Sequence, residues 1–292
     1  MSSSAFQHTD TQAREVRQAR WDFSGQTVLV TGAAHGQARA HALSFASAGA
    51  NVAICDICAN IGSVSYPMGT VDELEDTAEQ CRAAGANVIS RVCDVRSERQ
   101  VEAFVNATVE AFGGIDVAVA NAGVGGITEA VDLTEQEWDE MLDTNLKGVF
   151  LTFKHVARRM IDGGGGGRLI ATGSVNSFTG VPGCTHYVAA KHGVAGLCKS
   201  LAIELAPHRI RVNYVCPTAV NTHMIEIVTG PRVPENFGER LVATAGSWNL
   251  LEEGAPPLEP FEVSEAMMWL ASDSSNYVTG AALPVDAGFL TK

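Results

Sequence analysis

Tyr187 and Lys191 stand four residues apart, with Ser174 thirteen residues before the tyrosine. The run that follows, Ala190, Val194, Leu197, Leu201 and Leu205, has the three-and-four spacing of a helix with one apolar face, and Tyr187 and Lys191 fall on that same side. A lysine there is anomalous, because lysine is seldom buried without a partner. An ammonium beside a phenol favours the phenolate and lowers a pKa that starts at about 10. That makes a proton-transfer group usable near neutral pH. The same short pattern is also given by a lysine that snorkels past a half-buried core tyrosine. What separates the two readings is the rest of the chain.

From Gln26 the sequence reads VLVTGAAHGQA after a single threonine, a β-branched run that meets glycines and then small, alanine-rich residues. This predicts strand, tight turn and helix, and Gly49 suits the helix end. NVAICD then gives a second short strand ending in Asp56, 24 residues after Gly32. Strand, glycine turn, helix, strand and terminal acid make a dinucleotide-binding βαβ unit. Glycines let the backbone approach a pyrophosphate, the helix N-terminus offers unpaired N–H groups, and the carboxylate grips a ribose 2′-OH. The same carboxylate repels a 2′-phosphate, so NAD is favoured over NADP. The spacing of Gly32 and Gly36, with Ala38 next, departs from the G-x-G-x-x-G form, and a glycine turn with an ordinary surface aspartate is the plain alternative.

Residues 58–71 (CANIGSVSYPMGTV) exceed the roughly two to six residues usual for a strand-to-helix link, and read as an inserted loop close to the nucleotide. A helix at about 72–84, the strand NVISRVCDV, a helix at about 97–112 and the strand GIDVAVA lead to Asn121-Ala122-Gly123. Between Thr134 and Ile161 a long helical stretch carries Asn145, Lys147 and Gly148 in its middle, poor helix material that calls for a kink or a functional polar group. Glycines 163–167 read as a flexible loop. RLIATG is then the fifth strand, delivering Ser174 to its carboxyl end, where ligands bind in open α/β sheets. RIRVNYV is the sixth strand, and residues 217–260 form a long irregular segment of the kind used as a lid or binding loop. A short helix at about 262–271 and the strand AALPVDAG close the chain. Together these elements predict a Rossmann-like, doubly wound α/β fold, an about seven-stranded parallel sheet with helices on both faces. It forms a single domain over 21–292, behind a polar, flexible arm at 1–20.

A chain of 292 residues is ordinary for one such domain. Against 33 acidic residues stand 20 basic ones, and the net charge of -13 disfavours nucleic acid and anionic membrane as partners. No apolar run approaches the roughly 18 residues of a membrane span, and the N-terminus lacks a signal-peptide core, so a cytoplasmic protein is expected. Seven scattered cysteines fit reduced thiols used as small core residues. Cys55 and Cys58 form a Cys-x-x-Cys without the second pair that a metal site needs, so no metal is expected.

Taken together, these residues resemble the short-chain dehydrogenase/reductase family over about residues 22–292. TGAAHGQA at 31–38 matches its glycine loop apart from the last glycine, and Asn121-Ala122-Gly123 matches its NAG motif. Asn145, Ser174, Tyr187 and Lys191 match its catalytic tetrad, and PTAVNT at 217–222 is similar to its PGxxxT segment. The resemblance implies hydride transfer between NAD(H) and a secondary alcohol or ketone. Tyr187 would then be base in oxidation and acid in reduction. Lys191 would lower its pKa and bind the nicotinamide ribose, Ser174 would bond the developing alkoxide, and Asn145 would hold a water between Lys191 and solvent. The cofactor would meet Gly32, His35, Gly36 and Gln37 in the glycine loop, and Asp56 with Ile57 after the second strand. Asp94, at the adenine, and Val95 would follow the third strand. Asn121, Ala122 and Gly123 would approach by backbone, Tyr187 and Lys191 from the helix, and Pro217, Val220 and Thr222 from the long loop, with Thr222 at the carboxamide.

A narrower resemblance is to the actinobacterial branch that includes carveol dehydrogenase and other mycofactocin-associated oxidoreductases. It is carried by GQ in the glycine loop, by DIC before an insert containing SYPMGTVDEL, and by HYVAAKHGV around the tyrosine. It implies tightly bound NAD(H) covered in part by the insert, an external redox carrier that regenerates it, and a small hydrophobic alcohol or ketone, cyclic and terpenoid-like, as substrate. It also implies a homotetramer built through the helices around 134–161 and 184–206. His35 stands where that branch usually has arginine, and Ala38 replaces a glycine. Phe178, Val181 and Trp248 are read as lining an apolar substrate pocket. The nearest alternative is a ketoreductase of the 3-oxoacyl carrier type, which the lack of a positive patch for a carrier disfavours. The other is a non-catalytic NAD(H)-binding sensor, which the intact Ser174, Tyr187 and Lys191 argue against.

Overall fold

Seven short apolar runs become seven parallel strands of one sheet: β1 (Thr27–Thr31), β2 (Asn51–Asp56), β3 (Val88–Val92), β4 (Val117–Ala120), β5 (Gly167–Thr172), β6 (Ile210–Pro217) and β7 (Ala282–Val285). They lie in the order β3-β2-β1-β4-β5-β6-β7. The computed structural model describes residues 21–229, 233, 236, 237, 239, 249–251 and 256–291. The expected arm at 1–20 and much of the 217–260 loop lie outside the described residues.

Side chains alternate along each strand, so each strand feeds two cores. Val28 and Val30 of β1 face α1 (Gly36–Ser47), α2 (Val71–Ala83) and α7 (Pro260–Ala271), packing with Phe45, Leu74 and Met267. Leu29 faces α3 (Glu98–Phe112), α5 (Gly148–Gly163) and α6 (Thr185–Leu205), packing with Phe104, Phe153 and Cys198. A parallel sheet buried on both faces needs apolar residues at nearly every position, and this is why the strands read as continuous hydrophobic runs.

The break expected around Asn145 is a change of helix type. Helix α4 (Glu135–Leu142) opens with a capping box between Thr134 and Glu137, then widens into a π-helical turn at Asp143–Lys147 before α5 begins. Gly148 is required there, since a Cβ would lie 2.7 Å from Cγ2 of Val95. The glycine run at 163–167 departs from the flexible loop expected of it. Gly164 closes α5 in the left-handed conformation, its carbonyl accepts from Nη2 of Arg209 at 2.8 Å, and a Cβ on Gly166 would lie 2.7 Å from the Arg209 carbonyl oxygen. Two backbones approach closely here, so glycine serves a packed turn.

Strand order reverses between β1 and β4, which opens a crevice at the carboxyl ends of the strands. Gly32, Asp56, Asn121, Ser174 and Pro217 all stand at or just past those ends.

Candidate active site

Ser174 follows β5 and caps the short 3-10 turn Val175–Ser177, its Oγ accepting from the Asn176 N–H at 3.1 Å. Ser177 Oγ donates to the carbonyl of Lys191 at 3.0 Å, which fastens that turn to α6. Tyr187 lies in the first turn of α6, near enough to Ser174 for that hydroxyl to favour its charged form, and is still partly accessible. Lys191, one turn further, is buried; its Nζ donates to the Thr172 carbonyl at 2.7 Å and lies 5.5 Å from the centre of the Tyr187 ring.

Burial pushes the Tyr187 phenol up to about 12, and the Ser174 hydroxyl works against that rise. Burial brings Lys191 down to about 8. The expectation that Lys191 lowers the tyrosine is therefore not met in this arrangement. Its ammonium is aimed at a backbone carbonyl, and desolvation of the phenol outweighs its influence.

Asn145, in the π-helical turn, spends its amide on the backbone of Val124, accepting the N–H at 3.0 Å and donating to the carbonyl at 2.8 Å. A Cβ on Gly123 would lie 2.5 Å from Oδ1 of Asn145, so the NAG glycine is needed for this clamp. The amide thus shapes the 121–124 segment. The N–H groups of Asn121 and Ala122 both donate to Oγ1 of Thr31 at 3.1 Å, and Thr172 Oγ1 donates to Oδ1 of Asn121 at 2.8 Å. Sequence reasoning gave these two threonines no role at the site. Their signal is a hydroxyl residue at the carboxyl end of a buried strand.

Gly32 and Gly36 have φ of 78° and 63°. A Cβ on Gly32 would lie 2.8 Å from Cα of Ala122, and one on Gly36 would lie 3.2 Å from Cγ2 of Thr222. The glycine turn, the NAG segment and the loop after β6 therefore meet. Ala38, the departure from the glycine pattern, is fully buried in the α1 core. Helix α1 begins after His35 with no side-chain cap and no acidic residue in its first turn, while His35 Nε2 and Gln37 Oε1 lie buried without hydrogen-bond partners among the described residues. Such a terminus leaves N–H donors and positive potential for an anionic group. Asp56 accepts from the N–H of Ala34 at 3.1 Å and of Cys58 at 3.0 Å, which uses two of a carboxylate's roughly four lone-pair positions. A dinucleotide fits this donor and acceptor set, with its diphosphate at the start of α1 and its ribose hydroxyls at Asp56.

The insert reaches further than its sequence reveals. A Cβ on Gly69 would lie 2.6 Å from Cβ of Ala34 and 3.0 Å from Oδ1 of Asp56, so this glycine lies directly on the acid. Ile61 is buried with Val124 and Met141, and Ile57, Val64, Met68 and Tyr187 pack against them. The Ser63 N–H donates to Glu140 at 3.0 Å, and the buried Tyr66 accepts from the Gly125 N–H at 2.9 Å.

The remaining expected residues have partners of their own. The Asp94 carboxylate is paired with Arg96 at 2.8 Å, and Val95 is packed into the core against Gly148. Phe178 is 48% exposed, whereas Val181 packs, like Tyr187, against Ile127, Cys184 and Phe237. Trp248 lies outside the described residues. Pro217 ends β6 beside Val285, and Val220 bridges to Leu258. Among the described residues no group of three or more His, Cys, Asp or Glu side chains could hold a metal ion, and no helix is long and apolar enough to cross a membrane.

Comparison with known proteins gives the following. A protein-family model described as Enoyl-(Acyl carrier protein) reductase matches residues 32–290. The chain is 39% identical over 274 residues to (-)-trans-carveol dehydrogenase of Rhodococcus erythropolis, covering 92% of this chain and 98% of that one. The solved structure of carveol dehydrogenase from Mycobacterium avium in complex with NAD superposes with a TM-score of 0.84 at 37% identity, over 92% of this chain and 99% of that one. A short chain dehydrogenase from Mycobacterium paratuberculosis bound to NAD gives a TM-score of 0.87 at 34% identity, over 93% and 100%.

Proposed function

The chain belongs to the short-chain dehydrogenase/reductase family and is an NAD-dependent oxidoreductase, and on that premise we propose that it interconverts a compact, hydrophobic, cyclic secondary alcohol of terpenoid type and its ketone. NAD, when bound, supplies the carbon that takes the hydride from the alcohol or returns it to the ketone. Tyr187 accepts the hydroxyl proton at Oη in oxidation and gives it back in reduction. Ser174, near the Tyr187 hydroxyl, holds the same substrate oxygen as charge develops on it. Lys191 adds positive charge one turn behind the phenol, and Asn145 keeps the 121–124 backbone in place beside it.

Asp56 receives the ribose hydroxyls, and the start of α1, with His35 and Gln37, receives the diphosphate. Gly32, Gly36, Asn121, Ala122, Gly123, Pro217, Val220 and Thr222 wall the same crevice. The insert over Asp56 is read as slowing cofactor exchange and leaving reoxidation to an external carrier. Association as a cytoplasmic homotetramer is part of the same reading. The exposed Phe150 and Ile161 of α5 and Ile203 of α6 support it as apolar side chains that a second copy can cover.

The observation that carries the reading is the placement of Ser174 near the Tyr187 hydroxyl, backed by Lys191 and bordered by the apolar Val181, Ile127 and Phe237. Such a wall favours a substrate with little polarity beyond its reacting oxygen. The test is NADH formation on a panel of cyclic terpenoid alcohols and acyclic secondary alcohols of equal carbon number. Cyclic members are expected to give the highest kcat/KM. Preference for acyclic alcohols, or turnover confined to carrier-bound thioesters, would overturn the substrate class.

A further inference from the structure

Tyr66 is not used by the mechanism above, although its surroundings are those of a binding group. It stands in the insert between β2 and α2, in a stretch without regular structure, and its side chain is only 6% exposed. Its oxygen accepts the Gly125 N–H at 2.9 Å, but the hydroxyl proton has no acceptor among the described residues. Burial pushes this phenol above its ordinary range, so the proton stays on it. A buried donor left unmatched costs stability, which a ligand oxygen can recover.

The position of Gly125 gives that proton a direction of use. A Cβ on this glycine would lie 3.1 Å from Cγ of Met224 and 3.3 Å from Cδ1 of Ile227, so Tyr66 grips the backbone that faces the loop after β6. Ile227 also packs in the apolar group that includes Tyr187. From the other side, Tyr187 packs against the Ile61, Val124 and Met141 cluster of the insert. No hydrogen bond joins the two phenols among the described residues. The unspent proton of Tyr66 thus lies on the Val124–Gly125 segment, whose neighbours pack in the same apolar groups as the residue that handles the substrate oxygen.

We propose that Tyr66 is a ligand-binding residue that donates a hydrogen bond to a ligand hydroxyl or carbonyl oxygen lying between it and Tyr187. That oxygen is either the reacting oxygen of the substrate or a ribose hydroxyl of the cofactor. The inference deepens the function proposed above and rests on its assignment of the substrate oxygen to Tyr187. A purely structural tie to Gly125 uses only a lone pair of the phenol and strands its proton, which is the reason to prefer a ligand.

Tyr66→Phe keeps the ring and its packing. Three quantities are to be compared between it and the wild type: the affinity for NAD (or, where NAD does not exchange, the fraction retained through gel filtration), the kcat/KM for whichever alcohol of the panel the wild type oxidises fastest, and the inhibition constant of the hydrocarbon with the same skeleton and no oxygen. If the acceptor is the substrate oxygen, kcat/KM falls roughly 10- to 100-fold while NAD binding and hydrocarbon inhibition stay within about twofold. If it is the ribose, NAD affinity falls by roughly tenfold and kcat/KM at saturating NAD recovers. The proposal is overturned if all three stay within about twofold, or if hydrocarbon and alcohol are weakened alike, which marks lost packing at Gly125. Failure of the terpenoid reading is seen separately, as a wild-type preference for acyclic alcohols, and the variant is still compared on the preferred one.

Discussion

At the start of α1, His35 Nε2 and Gln37 Oε1 lie buried without partners among the described residues, and the helix has no side-chain cap. At the start of α6 the polar groups are held in place by the fold: Ser177 by the Lys191 carbonyl, Lys191 by the Thr172 carbonyl, and Ser174 by the Asn176 N–H, which leaves its own proton to donate. Unspent buried polar atoms cost stability until something binds them. On the function proposed above, the first region is completed by its ligand, whereas the second is assembled in advance, with burial raising Tyr187 to about 12 and bringing Lys191 down to about 8. Recognition and chemistry are thus divided between two ends of the crevice, and the division can be broken experimentally.

The largest effect is expected of Tyr187→Phe. Turnover should fall by about 10⁴-fold, near the upper end of what a general acid–base group contributes, while bound NAD measured after denaturation stays at wild-type occupancy. A variant that keeps a tenth of the wild-type rate, or one that loses its cofactor, breaks the division.

A third kind of polar group sharpens it. His41 is fully buried between α1 and α7, with Nδ1 bonded to Ser264 at 2.7 Å and Nε2 unpartnered in the core, and burial brings its pKa from 6.5 down to about 3. The folded value lies below the unfolded one, so the unfolded chain binds the proton more tightly. Stability held above pH 6.5 is lost as pH falls through the window toward 3, to a limit of about 5 kcal/mol. Urea unfolding across that range should show this loss, and His41→Leu should flatten it. An unchanged acid limb in the variant would place the proton uptake elsewhere.

At the recognition end, Gly36→Val puts a branched side chain at φ of 63° and against the Thr222 methyl. NAD affinity should fall by about 100-fold, since the turn that presents the N–H groups must move. Calorimetric affinity equal to that of the wild type would show that the turn does not carry the diphosphate. A smaller change, about tenfold in the ratio of NAD to NADP affinity, is expected of Asp56→Asn, which removes the charge and keeps an acceptor for one of the Ala34 and Cys58 N–H groups. An unaltered ratio would move cofactor selection away from β2.

Much of this was legible in the sequence because it is local. Apolar runs ending in glycine or acid gave the strands and placed Gly32 and Asp56 at their ends. The helix-breaking Asn145 and Gly148 marked the π-helical turn, and the Tyr187–Lys191 spacing placed both on one side of α6. What was not legible depends on chain segments far apart in sequence. Which way Lys191 points is decided by the Thr172 carbonyl of another element. Tyr66 and Gly69 matter because the insert folds back over β2 and onto the segment after β4, a path that no periodicity encodes. Val95 is buried in the core and Phe178 is 48% exposed, and neither environment is set by the residues next to it in sequence. The five glycines suggested freedom, while at Gly166 the packed Arg209 backbone uses the lack of a side chain.

The most direct measurement of the central claim follows the hydride. The enzyme, with NAD, is incubated with the fastest alcohol of the panel deuterated at its carbinol carbon, then denatured, and the released small molecules are weighed by mass spectrometry. NADH carrying one deuterium, in equal amount with the ketone, is the result predicted for the wild type, and unlabelled NAD for Tyr187→Phe. Ketone formed without label in the cofactor, or label recovered in NADPH instead of NADH, would contradict the account.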